Sequence, residues 1–327
     1  MTTTRAPARP RTPRRAVHGV LVLDKALGVS SNGALQHAKR LYRAEKAGHT
    51  GTLDPLATGV LPLCFGAATK FAQASLDADK RYLATLRFGV TTTTGDLEGE
   101  LVDAIPGVDV ARAELERACA GFVGEIDQVP PMHSALKHEG RALYDYARAG
   151  IEIERAPRSV RIDSIRVVEG EGDRWTIEVA CSKGTYIRTL AEDIGAALGC
   201  GAHLAALRRT ASGALDVRQA LGFDVLDALG ERERDARLLP PDALVAAWPA
   251  LALAADDAGR FLAGVRRRVE RADAPNVRVY GPEPGAFLGT AHIVAGELIA
   301  SRLLSPPEVA ALVAQRRHAP APESLTA

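Results

Sequence analysis

The 327-residue sequence has little cysteine, no apolar run long enough to cross a membrane, and almost no net charge. Its four cysteines (Cys64, Cys119, Cys181, Cys200) are scattered and form no C-x-x-C pair, which excludes a disulfide framework and a zinc site and points to a reduced, cytoplasmic protein. No G-x-x-x-x-G-K-[S/T] loop and no dinucleotide fingerprint occurs, so nucleotide-driven and dinucleotide chemistry have no motif here. The Arg/Pro/Thr-rich start lacks the apolar core of a secretory signal, and its prolines spoil the amphipathic helix of an import peptide. Residues 1–17 read instead as a disordered basic tail. That tail carries five arginines and no acid, leaving 36 basic against 40 acidic groups in the remainder. A nucleic-acid site must therefore be a local basic surface on a slightly acidic body.

What is present centres on Gly48–Gly59, G-H-T-G-T-L-D-P-L-A-T-G, where Asp54 stands among glycines and threonines close to His49. Glycines let the backbone approach a ligand closely, Pro55 stiffens the chain after the acid, and the apolar run Val60–Phe65 anchors the loop on the core. The residues alone leave two readings open, a held functional carboxylate or an Asp that hydrogen-bonds its own turn.

Along the chain, Gly19–Lys25 reads as a buried strand with Lys25 at its C-terminal end, and a helix capped by Ser30 or Ser31 runs to about Lys46. A helix over about Ala67–Asp79 precedes the strand Lys80–Gly89, in which Tyr82, Ala84, Leu86 and Phe88 share a face. Val110–Phe122 is helical with Asp109 as the expected cap. Pro130 and Pro131 open an excursion to Arg158 whose basic residues interleave with Tyr144 and Tyr146, suited either to gripping a phosphate backbone or to being a solvated face. Ser159–Val168 and Arg174–Ser182 form a hairpin. The stretch S-K-G-T-Y-I-R-T-L then opens a helix to Leu198, and Arg188 in its first turn, disfavoured there by the helix dipole, calls for an acidic partner. Ala202–Thr210 is a short apolar segment. Beyond Pro249 short strands are expected at Arg260–Val269, Asn276–Tyr280, Gly285–Val294 and Glu297–Arg302. Strands and helices without regular βαβ repetition indicate an α+β fold.

The stretches G-V-L-V-L-D-K-A-L-G-V-S-S, G-H-T-G-T-L-D-P-L-A-T-G-V-L-P, D-K-R-Y, S-A-L-K and S-K-G-T-Y-I-R-T-L-A-E-D-I-G together resemble the TruB family, the bacterial tRNA pseudouridine-55 synthases, in order over about 17–240. The resemblance implies a pseudouridine synthase fold, with a mixed, largely antiparallel central sheet flanked by helices, over 18–245. It places a mobile insertion at about 130–158 and a small C-terminal β module of PUA type over 250–305, followed by a tail at 306–327. It implies Asp54 as the catalytic aspartate, Arg188 as its ion-pair partner, Tyr82 as the aromatic stacked on the flipped uracil, and Tyr186 and Leu207 as pocket walls. His49 would lie against the RNA and Lys25 near the site. The expected partner is the T-stem loop of tRNA, bound by a monomer with no membrane, metal or cofactor.

The reaction so implied breaks N1–C1′, turns the uracil and joins C5 to C1′, with no net addition or removal of atoms. An ionised carboxylate serves it as nucleophile at C1′ or C6, or as base on the sugar, and the sequence leaves these open. Arg188 beside Asp54 favours the anion against burial. The competing readings are a non-catalytic tRNA-binding or folding protein and, more distantly, a nucleoside or glycoside hydrolase, for which no second carboxylate is evident.

Overall fold

The structure is a computed structural model that describes residues 13–318. Strand β1 (Gly19–Lys25) is buried on both faces: Leu21 and Leu23 enter one hydrophobic cluster, Val20 and Val22 another. Helix α1 (Ser31–Leu41) starts where the Ser30 hydroxyl accepts from the Gly33 N–H. It stops short of Lys46. Arg43 takes the left-handed conformation at φ 52°, and the N–H groups of Arg43 and Ala44 close back on the Arg40 and Lys39 carbonyls. Buried Tyr42, packed on Phe65 with ring centroids 4.9 Å apart, holds that stop in the core.

The chain continues through β2 (Ala47–His49) and β3 (Ala57–Phe65) to β4 (Lys80–Phe88), on which Tyr82, Ala84, Leu86 and Phe88 are buried as their alternation requires. Between β3 and β4 the expected helix is a 3-10 segment at Gly66–Phe71 followed by a short α-helix at Ala72–Asp77. Helix α2 (Arg112–Ala120) follows. Its N-cap position is Ala111 rather than Asp109, and no side chain caps it. Then come β5 (Gly124–Gln128), β6 (Arg158–Glu171), β7 (Arg174–Cys181), α3 (Ile187–Ala197) and β8 (Ala202–Ser212).

These strands form one nine-stranded sheet in the order β1-β3-β8-β4-β7-β6-β5, with β2 on β3 and Leu215–Asp216 on β8. Every pairing is antiparallel except β3 with β8, so the sheet is mixed and largely antiparallel. The segment read as short and apolar is thus an eleven-residue strand in the middle of the sheet. The excursion at 130–158 is a small hairpin, Lys137–His138 with Arg141–Ala142, and a helix at Leu143–Arg148. Its basic and aromatic side chains face each other, with Arg141 4.6 Å from the Tyr146 ring centroid and Arg148 5.4 Å from that of Tyr144.

The C-terminal part is a second, five-stranded sheet of β9 (Ala250–Ala252), β10 (Arg267–Arg268), β11 (Ala274–Tyr280), β12 (Phe287–Val294) and β13 (Glu297–Leu303), in the order β9-β11-β12-β13-β10. Of the strand expected at Arg260–Val269 only Arg267–Arg268 is strand; Arg260–Leu262 is the end of a helix, and a turn and a short irregular stretch lie between. Helix α4 (Ala255–Leu262) carries Asp256 and Asp257 in its first turn, which suits the dipole, and buries Ala258 and Phe261 on one face. Residues 306–318, expected as tail, form α5 (Pro306–His318), which buries Leu312 and Val313 and is tied down where Glu308 accepts from Lys70 Nζ at 2.6 Å. The second hydrophobic cluster joins the two sheets, bringing Phe287, Leu304 and Leu312 against Val20, Val22, Val60 and Cys64.

The expected basic tail lies outside the described residues up to position 12. From Arg15 the chain is part of the fold: the two terminal guanidinium nitrogens of Arg15 donate to Asp235 at 2.6 Å, and Val17 is buried. All four cysteines are free thiols.

Candidate active site

Asp54 lies in the loop between β2 and β3, and backbone contacts pin that loop from several sides. The Thr50 N–H donates to the Pro62 carbonyl at 3.0 Å, the Ser31 hydroxyl donates to the Leu53 carbonyl at 2.9 Å and accepts from the Leu53 N–H at 2.8 Å, and the Gly28 N–H donates to the Pro55 carbonyl at 2.8 Å. The turn itself is closed by the Asp54 carbonyl, which accepts from the Ala57 N–H at 3.0 Å. The carboxylate is thereby left for another partner. Its Oδ2 stands 3.1 Å from Arg188 Nη2.

Arg188 is the second residue of α3, and its side chain is only 6% exposed. Besides Asp54 it meets Asp96 Oδ2 at 3.5 Å, and it donates to the carbonyls of Thr94 at 3.2 Å and His133 at 2.6 Å. The acidic partner that a first-turn arginine calls for is therefore double. Asp96 was not singled out in the sequence; its one signal is an acid directly after Gly95 in the polar loop T-T-T-T-G-D-L-E-G. Its carboxylate accepts from Thr94 Oγ1 at 2.5 Å and from the Glu98 N–H at 3.1 Å, so it is fixed before it meets the guanidinium. The His133 contact ties the 130–158 excursion to the same arginine.

Exposure separates the members of this group. The Asp96 side chain is 4% exposed, whereas that of Asp54 is 43% exposed and open to an incoming molecule. Lost solvation pushes the Asp54 carboxyl above the usual aspartate range; Arg188 opposes it, Asp96 adds to it, and Lys25 and His133 oppose it further. Arg188 does favour the anion, as expected from the sequence. Desolvation is the larger effect and sets the direction.

Lys25 ends β1 and is buried, with Nζ donating to the carbonyls of Val29 at 2.7 Å, Ala26 at 3.0 Å and Pro55 at 3.3 Å. Burial pushes its ammonium down to about 8, against the pull of Asp54. It fastens the Asp54 loop to the turn after β1. Tyr82 is buried on β4; burial raises its phenol pKa, and the Asp54 charge reaches it. Tyr186 directly precedes α3, bracketed by Gln128, whose Oε1 accepts from the Tyr186 N–H at 3.0 Å while its Nε2 donates to the Tyr186 carbonyl at 3.3 Å. Its phenol too is raised by burial and feels Asp54. Leu207 sits on β8 between Ala57 of β3 and Ala84 of β4.

The structure thus gathers Arg188, Lys25, Tyr82 and Tyr186 within electrostatic reach of Asp54, with Leu207 on the strand between loop and aromatic. His49 is not among the groups whose charge acts on Asp54. It lies on β2, half-buried, its Nδ1 has no hydrogen-bond partner among the described residues, and burial, then the Arg209 charge, lower its pKa. Arg209, also missed in the sequence, is fully buried beneath the loop. Among the described residues no cluster of His, Cys, Asp and Glu is placed to hold a metal ion, and no helix is long and apolar enough to cross a membrane.

Comparison with known proteins covers nearly the whole chain. Residues 39–187 match the TruB family pseudouridylate synthase N-terminal domain, and residues 188–246 match the tRNA pseudouridylate synthase B C-terminal domain. The chain is 56% identical over 316 residues to a tRNA pseudouridine synthase B of Verminephrobacter eiseniae (strain EF01-2), covering 94% of this chain and 95% of the relative. It is 57% identical over 305 residues to that of Cupriavidus pinatubonensis (strain JMP 134 / LMG 1197), covering 90% and 96%. Among solved structures, a chain in the crystal structure of a Cbf5–Nop10–Gar1 complex superposes with a TM-score of 0.68 at 26% identity, over 89% of this chain and 87% of that one.

Proposed function

The chain belongs to the TruB family of pseudouridylate synthases and is an isomerase that converts uridine to pseudouridine in tRNA, and from that premise we propose that its target is the T-loop uridine at position 55, with Asp54 as the catalytic carboxylate. The observation that carries the assignment is the contrast within the ion-paired group: Arg188 and Asp96 are buried, while the Asp54 carboxylate they support is open at its outer side. A buried arginine between two carboxylates orients the exposed one without covering it.

The target nucleotide has to leave its stack, at a cost of a few kcal/mol, before its sugar and ring can meet Asp54. In this reading Tyr82, on the strand beyond β8, stacks on the extruded uracil, and such stacking returns about 1–3 kcal/mol. Leu207 and Tyr186 wall the pocket. The ionised Asp54 then attacks C1′ or C6, or takes a proton from the sugar, as N1–C1′ breaks; after the uracil turns, C5 joins C1′ and the C5 hydrogen leaves as a proton. Lys25 holds Pro55, and with it the acid, in place.

In this reading His49 lies against the RNA, and the 130–158 excursion closes over the T-stem loop, a role supported by its hold on Arg188 through the His133 carbonyl. The small C-terminal sheet is a PUA-like RNA-binding module over 250–305, and the protein acts as a cytoplasmic monomer. Asp54→Asn tests the centre of the proposal. It preserves size but removes nucleophile, base and charge, so single-turnover release of tritium from C5-labelled uridine in tRNA becomes undetectable, while tRNA binding stays within roughly tenfold, about 1.4 kcal/mol. Release at a comparable rate removes Asp54 from the chemistry.

A further inference from the structure

Arg209 sits where three strands meet. On β8 it pairs with Gly59 of β3 on one side and with Tyr82 of β4 on the other, and Gly59 in turn lies opposite Lys25 of β1. β8 is therefore the spacer between the strand that continues the Asp54 loop and the strand that carries Tyr82, each neighbour about 4.8 Å away. The Arg209 side chain turns back under the loop. Its Nε donates to the Val60 carbonyl at 2.7 Å and its Nη2 to the Gly51 carbonyl at 3.1 Å.

Those two carbonyls stand on either side of Asp54 in the chain, so one planar guanidinium closes the loop that presents the acid. The fit is tight at both glycines, which adopt left-handed φ values of 85° and 96°. A Cβ on Gly51 would lie 3.3 Å from Arg209 Nη1, and one on Gly59 would fall 2.2 Å from the Arg209 carbonyl oxygen. Arg209 is 1% exposed, and no carboxylate pairs with it among the described residues. Burying an unpaired cation is costly, and the fork of an arginine is the side chain that reaches two carbonyls at once. Its charge is felt at His49, Lys25 and Tyr82.

Building on the assignment of Asp54 and Tyr82 to the reaction, we propose that Arg209 is a positioning residue: it fixes both ends of the Asp54 loop to β8 and so sets the placement of Asp54 relative to Tyr82, from beneath, without touching RNA.

The test measures single-turnover kinetics at saturating tRNA, together with tRNA affinity, for full-length Arg209→Met, Arg209→Lys and Asp54→Asn. Arg209→Met is expected to lower the rate constant roughly 100-fold, the effect of a small misplacement of a reacting group, with stoichiometric amplitude and binding within about threefold of the parent. Arg209→Lys falls between, because an ammonium keeps the charge but does not span both carbonyls. A reduced amplitude with a parent-like rate constant makes Arg209 merely structural, and weakened tRNA binding with an unchanged rate constant makes it an RNA contact; either overturns the proposal. Should Arg209→Met fail to fold, Arg209→Lys decides the matter, and a parent-like rate constant in it overturns the proposal. Parent-like rates in the Arg209 variants beside an inactive Asp54→Asn overturn this proposal alone. A parent-like rate in Asp54→Asn overturns the assignment of Asp54 and this proposal with it.

Discussion

Replacing Arg188 by Met separates what that residue does for the fold from what it does for the chemistry. The guanidinium faces two carboxylates, but they are not equivalent. Asp54 is 43% exposed and keeps part of its hydration, whereas Asp96 is 4% exposed and would be left as a buried anion without a counter-charge. Breaking a buried pair in this way costs about 3–5 kcal/mol. At roughly 2 °C per kcal/mol for a chain of this size, the melting temperature of Arg188→Met should fall by roughly 6–10 °C. The penalty sits on the charge of Asp96, so Arg188→Met combined with Asp96→Asn should regain at least half of it; the amide oxygen still accepts from Thr94 and Glu98, as Oδ1 does in the parent. Catalysis should not return with stability, because Asp54 has lost the group that orients it, and the single-turnover rate should stay down by roughly 100-fold or more in both variants. Thermal unfolding and single-turnover assays on the same preparations provide the check. A single variant that melts within about 2 °C of the parent, or a double variant no more stable than the single, refutes the assignment of the cost to Asp96.

Two further predictions concern pH and the N-terminus. On the proposed role of ionised Asp54, whose carboxyl is held above the usual aspartate range, the single-turnover rate should fall with decreasing pH along a limb centred higher than that of an ordinary aspartate. Asp96→Asn removes a charge that disfavours the anion and should move that limb to lower pH; a limb that stays put, or moves up, contradicts the coupling. Deleting residues 1–12 should leave denaturant stability unchanged, because the stretch has no hydrophobic pattern. Deleting 1–17 also removes the buried Val17 side chain, worth about 1.5–3 kcal/mol, and the partly exposed Arg15–Asp235 pair, worth up to about 1 kcal/mol. Equal stability of the two truncations refutes that ledger.

Much of the fold was legible because its strands obey local rules. β1, β4, β6 and β7 announce themselves by apolar runs or alternation, and the Ser30 cap by residue type. The misreadings share a cause in long-range contact. Helix α1 ends early because Tyr42 is drawn to Phe65, and the last turn of α4 fell inside an expected strand because the tertiary burial of Ala258 and Phe261 is invisible in a window rich in charge. Within the site, Asp54 stood out through its loop and Arg188 through its position in a helix. Asp96 and Arg209 did not, for each draws its meaning from a partner in another segment: Arg188 lies 92 positions beyond Asp96, and the Val60 carbonyl 149 positions before Arg209.

The cluster that joins the two sheets constrains how this protein meets a large ligand. Phe287, Leu304 and Leu312 cover the face of β1 and β3 opposite to the one that packs on α1, and β1 and β3 are also the strands that carry Lys25 and lead out of the Asp54 loop. The small sheet is consequently the back wall of the reactive centre and not an appendage on a hinge. With the small sheet seated on those strands, an RNA that reached both units would have to span the separation that this packing sets.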